Sequence, residues 1–235
     1  ETLIDDYLKE TGKARYIIED DESSSFGKVL DFFIKTSKLQ SSLHIKFGSA
    51  FDIFGNNVDI EGKSYDQYNR PIDPNRYVMS NGQLTHSEQR DTEYTKELGE
   101  RLVEEYLKNN VILSTHILAF CLFVYLEKQN SNMDLYRIVR LTPEEATFDA
   151  NEIYNLVDKI KQEIVLMVEQ NKISIDPAII NKKSSEIIQE AMHNFQTYYS
   201  KDLIIEKNNV IIIYDIKIIY YYHNKLKGYD FERFV

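Results

Sequence analysis

A histidine and an aspartate separated by four residues occur once in this chain, at His86 and Asp91 in the stretch LTHSEQRDTEYTKELGE. At such a spacing an imidazole can take a proton from a hydroxyl while the carboxylate orients the ring. That chemistry requires the two side chains to lie within hydrogen-bond reach. The local pattern argues for something plainer. Thr85 is followed three residues later by Glu88, a capping-box pairing, and Leu98, Leu102, Tyr106 and Leu107 mark a helical face. With His86 as the first helical residue, five steps turn the helix by about 500° and leave the two side chains about 140° apart. The spacing therefore predicts a helix start and not a dyad.

The other reactive residue types form no triad. His44 sits on the polar side of an alternating run. His116 and Cys121 fall inside the most apolar stretch, which predicts a hydrogen-bonded core imidazole and an inert thiol. His193 and His223 lie in expected helices without a Cys, Ser or Asp partner. Asp52, Asp59, Asp66 and Asp73 recur every seven residues, which does not match the alternating ligand spacing of a calcium loop. The remaining candidates are donors in a long polar segment: Asn56, Arg70 and Arg76, the arginines being suited to forked recognition of phosphate. No catalytic residue and no metal ligand is assigned.

The elements that would carry these residues read as follows. ARYIIEDD leads through Ser23, Ser24 and Ser25 into an amphipathic helix over residues 26–38. SLHIKF alternates as a half-buried strand with Leu43, Ile45 and Phe47 inward. Residues 48–81 are rich in Gly, Asn, Asp and Pro and read as a long ordered loop with several turns. Helices are expected over residues 86–109 and 112–128, in MDLYRIVRL, and over 142–170 starting near Pro143. The last carries Ile153, Leu156, Val157, Ile160, Ile164 and Met167 on one face. Another, capped by Ser184 or Ser185, covers SSEIIQEAMHNFQTYY. A β-hairpin spans about 203–213, IKIIYYYHNKL is helical, and no internal repeat is expected.

Composition narrows the function classes. The 235 residues are 43% hydrophobic and 28% charged, enough to bury a sizeable core. The formal net charge of −10 opposes partners held by phosphate neutralisation, nucleic acid above all. A single Cys suits a reducing cytoplasm. The run VILSTHILAFCLFVYL is shorter than the ~20 apolar residues that span a bilayer, so a fully buried helix is expected there. The chain opens at Glu1 without a basic or apolar leader and reads as a piece of a longer protein.

Several blocks taken together resemble a known family. ARYIIEDDESSSFGKVLDFF, HIKFGSAFDIFGNNVDIEGKSYDQYNRPIDPNRYV, QRDTEYTKELGE, NNVILSTHILAF, DLYRIVRL and YYYHNKLKGYDFE are similar to the C-terminal half of long bacterial glycerol-3-phosphate / 1-acylglycerol-3-phosphate acyltransferases. The likeness covers nearly the whole chain and is most specific in DIFGNNVDIEGKSYD. Ala50 departs from the pattern, where a Pro is expected. The resemblance implies an α+β, predominantly helical fold. Residues 1–83 would close an α/β acyltransferase domain, and residues 84–235 would form a helical C-terminal domain with the hairpin. It implies an enzyme moving an acyl chain from acyl-CoA or acyl carrier protein to glycerol phosphate in phospholipid synthesis, without a further cofactor. Its own His and Asp would lie upstream of Glu1, because the block containing His86 resembles a later helix. The partners implied are the rest of the catalytic domain, glycerol phosphate and an acyl thioester. The implied location is cytoplasmic, peripheral on the inner face of the membrane.

Two further readings stay open. The run of helices before a hairpin suits a winged-helix-like binding module, which the acidic balance opposes. Tyr220, Tyr221 and Tyr222 with the apolar runs suit an interfacial membrane anchor.

Overall fold

The computed structural model describes residues 44–199 and 201–235, and the chain divides into two compact units, Glu1–Leu43 and His44–Val235. The helix expected over residues 26–38, and Ser42 and Leu43 of the expected strand, lie outside the described residues. The boundary expected between residues 83 and 84 falls within the second unit. That unit is mixed α+β, with 53% of its residues helical and its sheets small.

The segment after Gly48 folds as a meander of short strands, β1 (Asn57–Val58), β2 (Ser64–Tyr65) and β3 (Pro71–Ile72), in that order and antiparallel. A five-residue 3₁₀ helix, Pro74–Val78, and a small hairpin of β4 (Met79–Ser80) and β5 (Gln83–Leu84) follow. Helix α1 (Glu88–Asn109) leads on to β6 (Val111–Ile112) and α2 (Ser114–Gln129). Then come α3 (Leu135–Ile138), β7 (Thr147–Asp149), α4 (Ala150–Glu169), β8 (Ser174–Ile175), α5 (Pro177–Ile180) and α6 (Ser184–Tyr198). The hairpin of β9 (Ile204–Lys207) and β10 (Val210–Ile213) precedes α7 (Ile216–His223).

The core is organised around α2. Twelve of its sixteen residues are buried, against α7, α6 and α4, which is why its sequence has no polar face. Phe120, Phe123, Leu118, Leu122 and Leu126 are at most 1% exposed, and each contributes roughly 1.5–3 kcal/mol by leaving water. Among the described residues no helix is long and apolar enough to cross a membrane. Helix α4 buries Ile153, Leu156, Val157, Ile160 and Ile164, the expected face, with Met167 partly buried beside them.

Several boundaries differ from expectation for identifiable reasons. Helix α4 starts at Ala150 and not near Pro143, because Asp149 accepts the N–H of Asn151 at 2.8 Å and caps it. The preceding residues instead form β7, which pairs with β10 and makes the hairpin a three-stranded sheet. Neither Ser184 nor Ser185 caps α6. The Glu186 carboxylate reaches back to accept the N–H of Lys183 at 2.7 Å. The hairpin turn uses Asn208 and Asn209, both at positive φ (53° and 63°), the pairing that matches the twist of the flanking strands. Residues 44–50 form no strand. Ile45 and Phe47, expected inward, are 68% and 89% exposed, and His44, expected in solvent, lies 3.6 Å from the Asp176 carboxylate.

Candidate functional site

A seven-residue repeat, unexpected from the sequence, builds the segment that carries the candidate donors. DIFGNNV, DIEGKSY and DQYNRPI occupy residues 52–58, 59–65 and 66–72. In each, the leading Asp starts a five-residue turn. Asp52 accepts the N–H groups of Phe54 and Asn56, Asp59 those of Glu61 and Lys63, and Asp66 those of Tyr68 and Arg70, all at 2.9–3.0 Å. The fourth position is left-handed each time: Gly55 at φ 78°, Gly62 at 82° and Asn69 at 60°. Gly and Asn tolerate that region at least cost. Two strand residues complete each unit, so the pairings Phe51↔Asn57, Val58↔Ser64 and Tyr65↔Pro71 advance by seven. A fourth unit begins at Asp73, but Pro74 directs it into the 3₁₀ helix, with Asp73 accepting the N–H of Asn75. The aspartates thus recur because each closes a turn, and successive turns of a meander lie at alternate ends.

The candidate donors belong to this scaffold. Asn56 and Arg70 share the fifth position of their repeats, and both side chains reach back to the leading Asp. The Asn56 amide donates to both Asp52 oxygens (3.2 and 3.1 Å), while its Oδ1 accepts the hydroxyl of Tyr77 at 3.1 Å. Arg70 donates through Nε (2.8 Å) to Asp66 Oδ2, with Nη2 2.7 Å from the same oxygen, and its guanidinium lies 5.0 Å from the Tyr68 ring centre. Arg76 is exposed within the 3₁₀ helix. Burial alone would raise the pKa of the Asp52 carboxyl, but Ser64, Asn56 and two backbone N–H groups outweigh it and hold it low. Asp59 is held low chiefly by the Lys63 N–H, and Asp66 chiefly by Arg70. The meander docks on α1 through Phe54, Tyr77 and Tyr94, whose ring centres lie 4.5–5.5 Å apart, and through Arg101 over Phe51.

His86 and Asp91 do meet, contrary to the helical-wheel expectation. His86 Nδ1 lies 3.2 Å from Asp91 Oδ2. The helix begins two residues later than Thr85 and Glu88 imply. Ser87 is the N-cap, accepting the N–H of Arg90 at 3.5 Å, and α1 starts at Glu88. His86 therefore precedes the helix, free of the 3.6-residue rotation, and folds back over the first turn. Arg90 completes the cluster. Its guanidinium donates to Asp91 Oδ1 (2.9 and 2.8 Å) and to the hydroxyl and carbonyl of Thr85. That contact, first among the causes, holds the Asp91 carboxyl below its usual range. The pair sits on an open concavity lined by His86, Glu88, Asp91, Thr92, Thr95 and Lys96, with the imidazole side chain 89% exposed. Chemically it is an oriented imidazole in water, with Nε2 pointing away from its carboxylate partner.

His116, His223 and Cys121 belong to the core, whereas His193 is exposed on α6. His116 is 8% exposed, and its Nδ1 accepts the Leu113 N–H at 3.2 Å, capping α2. His223 is 4% exposed and stacks on Phe120 at 5.3 Å. The Cys121 thiol is fully buried, and burial pushes its pKa far up. Among the described residues no group of three His, Cys, Asp or Glu side chains could hold a metal ion. The three tyrosines do not form a common exposed surface. Tyr220 packs on Phe123 (4.8 Å) and Tyr222 on Phe195 (5.0 Å), leaving only Tyr221 of the three largely exposed, at 65%.

Compared with known proteins, the chain matches no family model, no curated protein and no solved structure.

Proposed function

We propose that this chain is the C-terminal part of an acyltransferase that moves a fatty acyl group from acyl-CoA or acyl carrier protein to glycerol phosphate. Residues 1–83 would complete the α/β catalytic domain, and residues 84–235 would support it from the cytoplasmic side of a membrane. The observation that carries this reading is the block DIFGNNVDIEGKSYD. Each of its repeats needs an Asp, a left-handed residue and a strand pair at set positions. A likeness across such a block is a likeness of architecture and not of composition. In this reading Asn56 and Arg70 shape the turns through their Asp partners, and Arg70 and Arg76 are the two exposed donors.

The test has two arms. The natural polypeptide, sequenced upstream of Glu1, is expected to contain a second His and Asp four residues apart, followed by an Arg-bearing block. Its absence overturns the assignment. The purified 235-residue chain, given sn-glycerol 3-phosphate and a radiolabelled acyl-CoA, is expected to form no acylated product. The 3.2 Å contact of His86 with Asp91 favours a second reading, in which this pair is itself the base and its orienting partner. Acyl transfer by the isolated chain, abolished in His86→Ala, would establish that second reading and overturn the supporting role.

A further inference from the structure

A cleft between the end of α1 and the turn after α7 has a cationic lining. Lys46, Tyr106, Leu107, Asn109, Asn110, Asn224, Lys225 and Lys227 surround a cavity of about 390 Å³. The chain has 38 acidic residues against 28 Lys and Arg, yet this lining holds three lysines, three carboxamides and no carboxylate. Lys63, Lys182 and Lys201 elsewhere find carboxylates at 2.7 Å. Lys46, Lys225 and Lys227 form no ion pair among the described residues. Lys46 donates to the Ser174 hydroxyl instead.

The arrangement is anchored. Leu226, between the two C-terminal lysines, is fully buried and turns both flanking side chains outward. Gly228, at φ 95°, lets the chain pass close to Leu107. The Tyr229 hydroxyl donates to the Leu107 carbonyl at 2.7 Å and accepts from the Asn110 amide at 3.2 Å. Asn110 also donates to the Lys225 carbonyl at 2.7 Å. The turn is thereby tied to α1, with its ammonium groups facing a gap that no carboxylate fills. Unpaired like charges held together repel, and an anion relieves them.

We propose that this cleft binds a phosphate monoester, with Lys225, Lys227 and Lys46 as its charge partners and the exposed Tyr106 ring beside its organic part. The volume falls within the range of small-ligand sites. The inference stands without the acyltransferase reading, since it rests on charge and shape alone. Glycerol phosphate and the ribose phosphate of an acyl carrier share this chemistry.

Isothermal titration of the 235-residue chain with inorganic phosphate, sn-glycerol 3-phosphate and adenosine 3′,5′-bisphosphate tests it and separates the sources. At low ionic strength at least one probe is expected to bind with unit stoichiometry. The variant Lys225→Gln/Lys227→Gln should lose roughly tenfold or more in affinity, Lys46→Gln a smaller factor, and Lys207→Gln nothing. These lysines are exposed, so the variants should melt as the parent does. Preference for one ester over inorganic phosphate identifies the organic part recognised. Failure of all three probes to bind overturns the proposal, as does equal affinity in the double variant.

Discussion

Acidification from pH 7 to pH 5 should destabilise the helical core through two imidazoles. His116 uses its Nδ1 lone pair to accept the Leu113 N–H at 3.2 Å, so a proton there would remove the cap of α2. Burial, and then Lys225, lower its pKa to about 4. His223 lies against Phe120, Phe123 and Tyr220, with ring centres 4.7–5.6 Å away. Burial, and then Lys227, lower it to about 4 as well. An unfolded histidine titrates near 6.5. Both folded values are depressed, so the contribution is complete above about pH 6.5 and is lost as pH falls toward about 4. Each ring loses up to about 1.4 kcal/mol per pH unit in that window, so pH 5 costs about 2 kcal/mol per ring and about 4 kcal/mol for the pair. Asp52, Asp59, Asp66, Asp91 and Asp215 are all held below the ordinary carboxylate range, so they titrate below this window. Urea unfolding followed by circular dichroism at pH 7, 6 and 5 measures the loss. His116→Gln keeps a side-chain acceptor for the cap, and His223→Phe keeps a ring in the stack. Each should remove about half of the pH dependence, and together nearly all of it. A double variant that loses stability with the parent slope would refute the argument.

The repeat makes a sharper demand on position four of each turn. Gly62 has φ 82° and nothing within 4 Å of an added Cβ, so Gly62→Val should lower stability by about 1–2 kcal/mol through backbone strain alone. Gly62→Asn should cost clearly less, as Asn69 occupies the equivalent position. Equal melting temperatures for the two variants would contradict the turn assignment. Burial raises the pKa of the Tyr154 hydroxyl, and Glu206 adds to it, taking it to about 12. Ultraviolet titration should therefore find this phenol still neutral at pH 11, and Tyr154→Phe should cost about 1 kcal/mol. Cys121 should react with a disulfide reagent only at the rate of unfolding, and rapid labelling of the native chain would show the core to be open at α2.

How much of this was legible beforehand depended on how local the cause was. Helix α2 could be read because burial on every side leaves no polar face. Helix α4 could be read because Ile153, Leu156, Val157, Ile160 and Ile164 repeat at the helical period. The β9–β10 turn was marked by Asn208 and Asn209. Helix starts were less accessible, because several side chains compete for the same N–H groups and tertiary pairing decides among them. Asp149 and the pairing of β7 with β10 shortened α4, and the Glu186 carboxylate displaced the serines as partner of the α6 start. The strand expected at SLHIKF failed for a different reason. Alternation predicts an exposed and a covered side but cannot supply the neighbouring strand, and Ile45 and Phe47 stand in solvent.

Two local spacings read differently in the sequence and in the structure. The spacing of seven between aspartates is visible in the sequence, and as metal ligation it has no meaning. The same carboxylates accept backbone N–H groups two and four residues onward, so the spacing measures one turn plus two strand residues. For His86, a shift of the helix start from Thr85 to Ser87 reverses the conclusion. Inside the helix the ring would point about 140° from Asp91, whereas one residue before the cap it can fold back to 3.2 Å. Angular arguments about a pair that straddles a helix boundary are only as good as the boundary. Lys46, Lys225 and Lys227 pose the complementary problem. Lys46 is far in sequence from the other two, and Tyr229, Asn110 and Gly228 tie the turn that carries Lys225 and Lys227 to α1. What the sequence alone could offer was the pattern Lys-Leu-Lys-Gly. Its buried Leu226 and left-handed Gly228 orient two charges together, and nothing in a linear reading says what faces them.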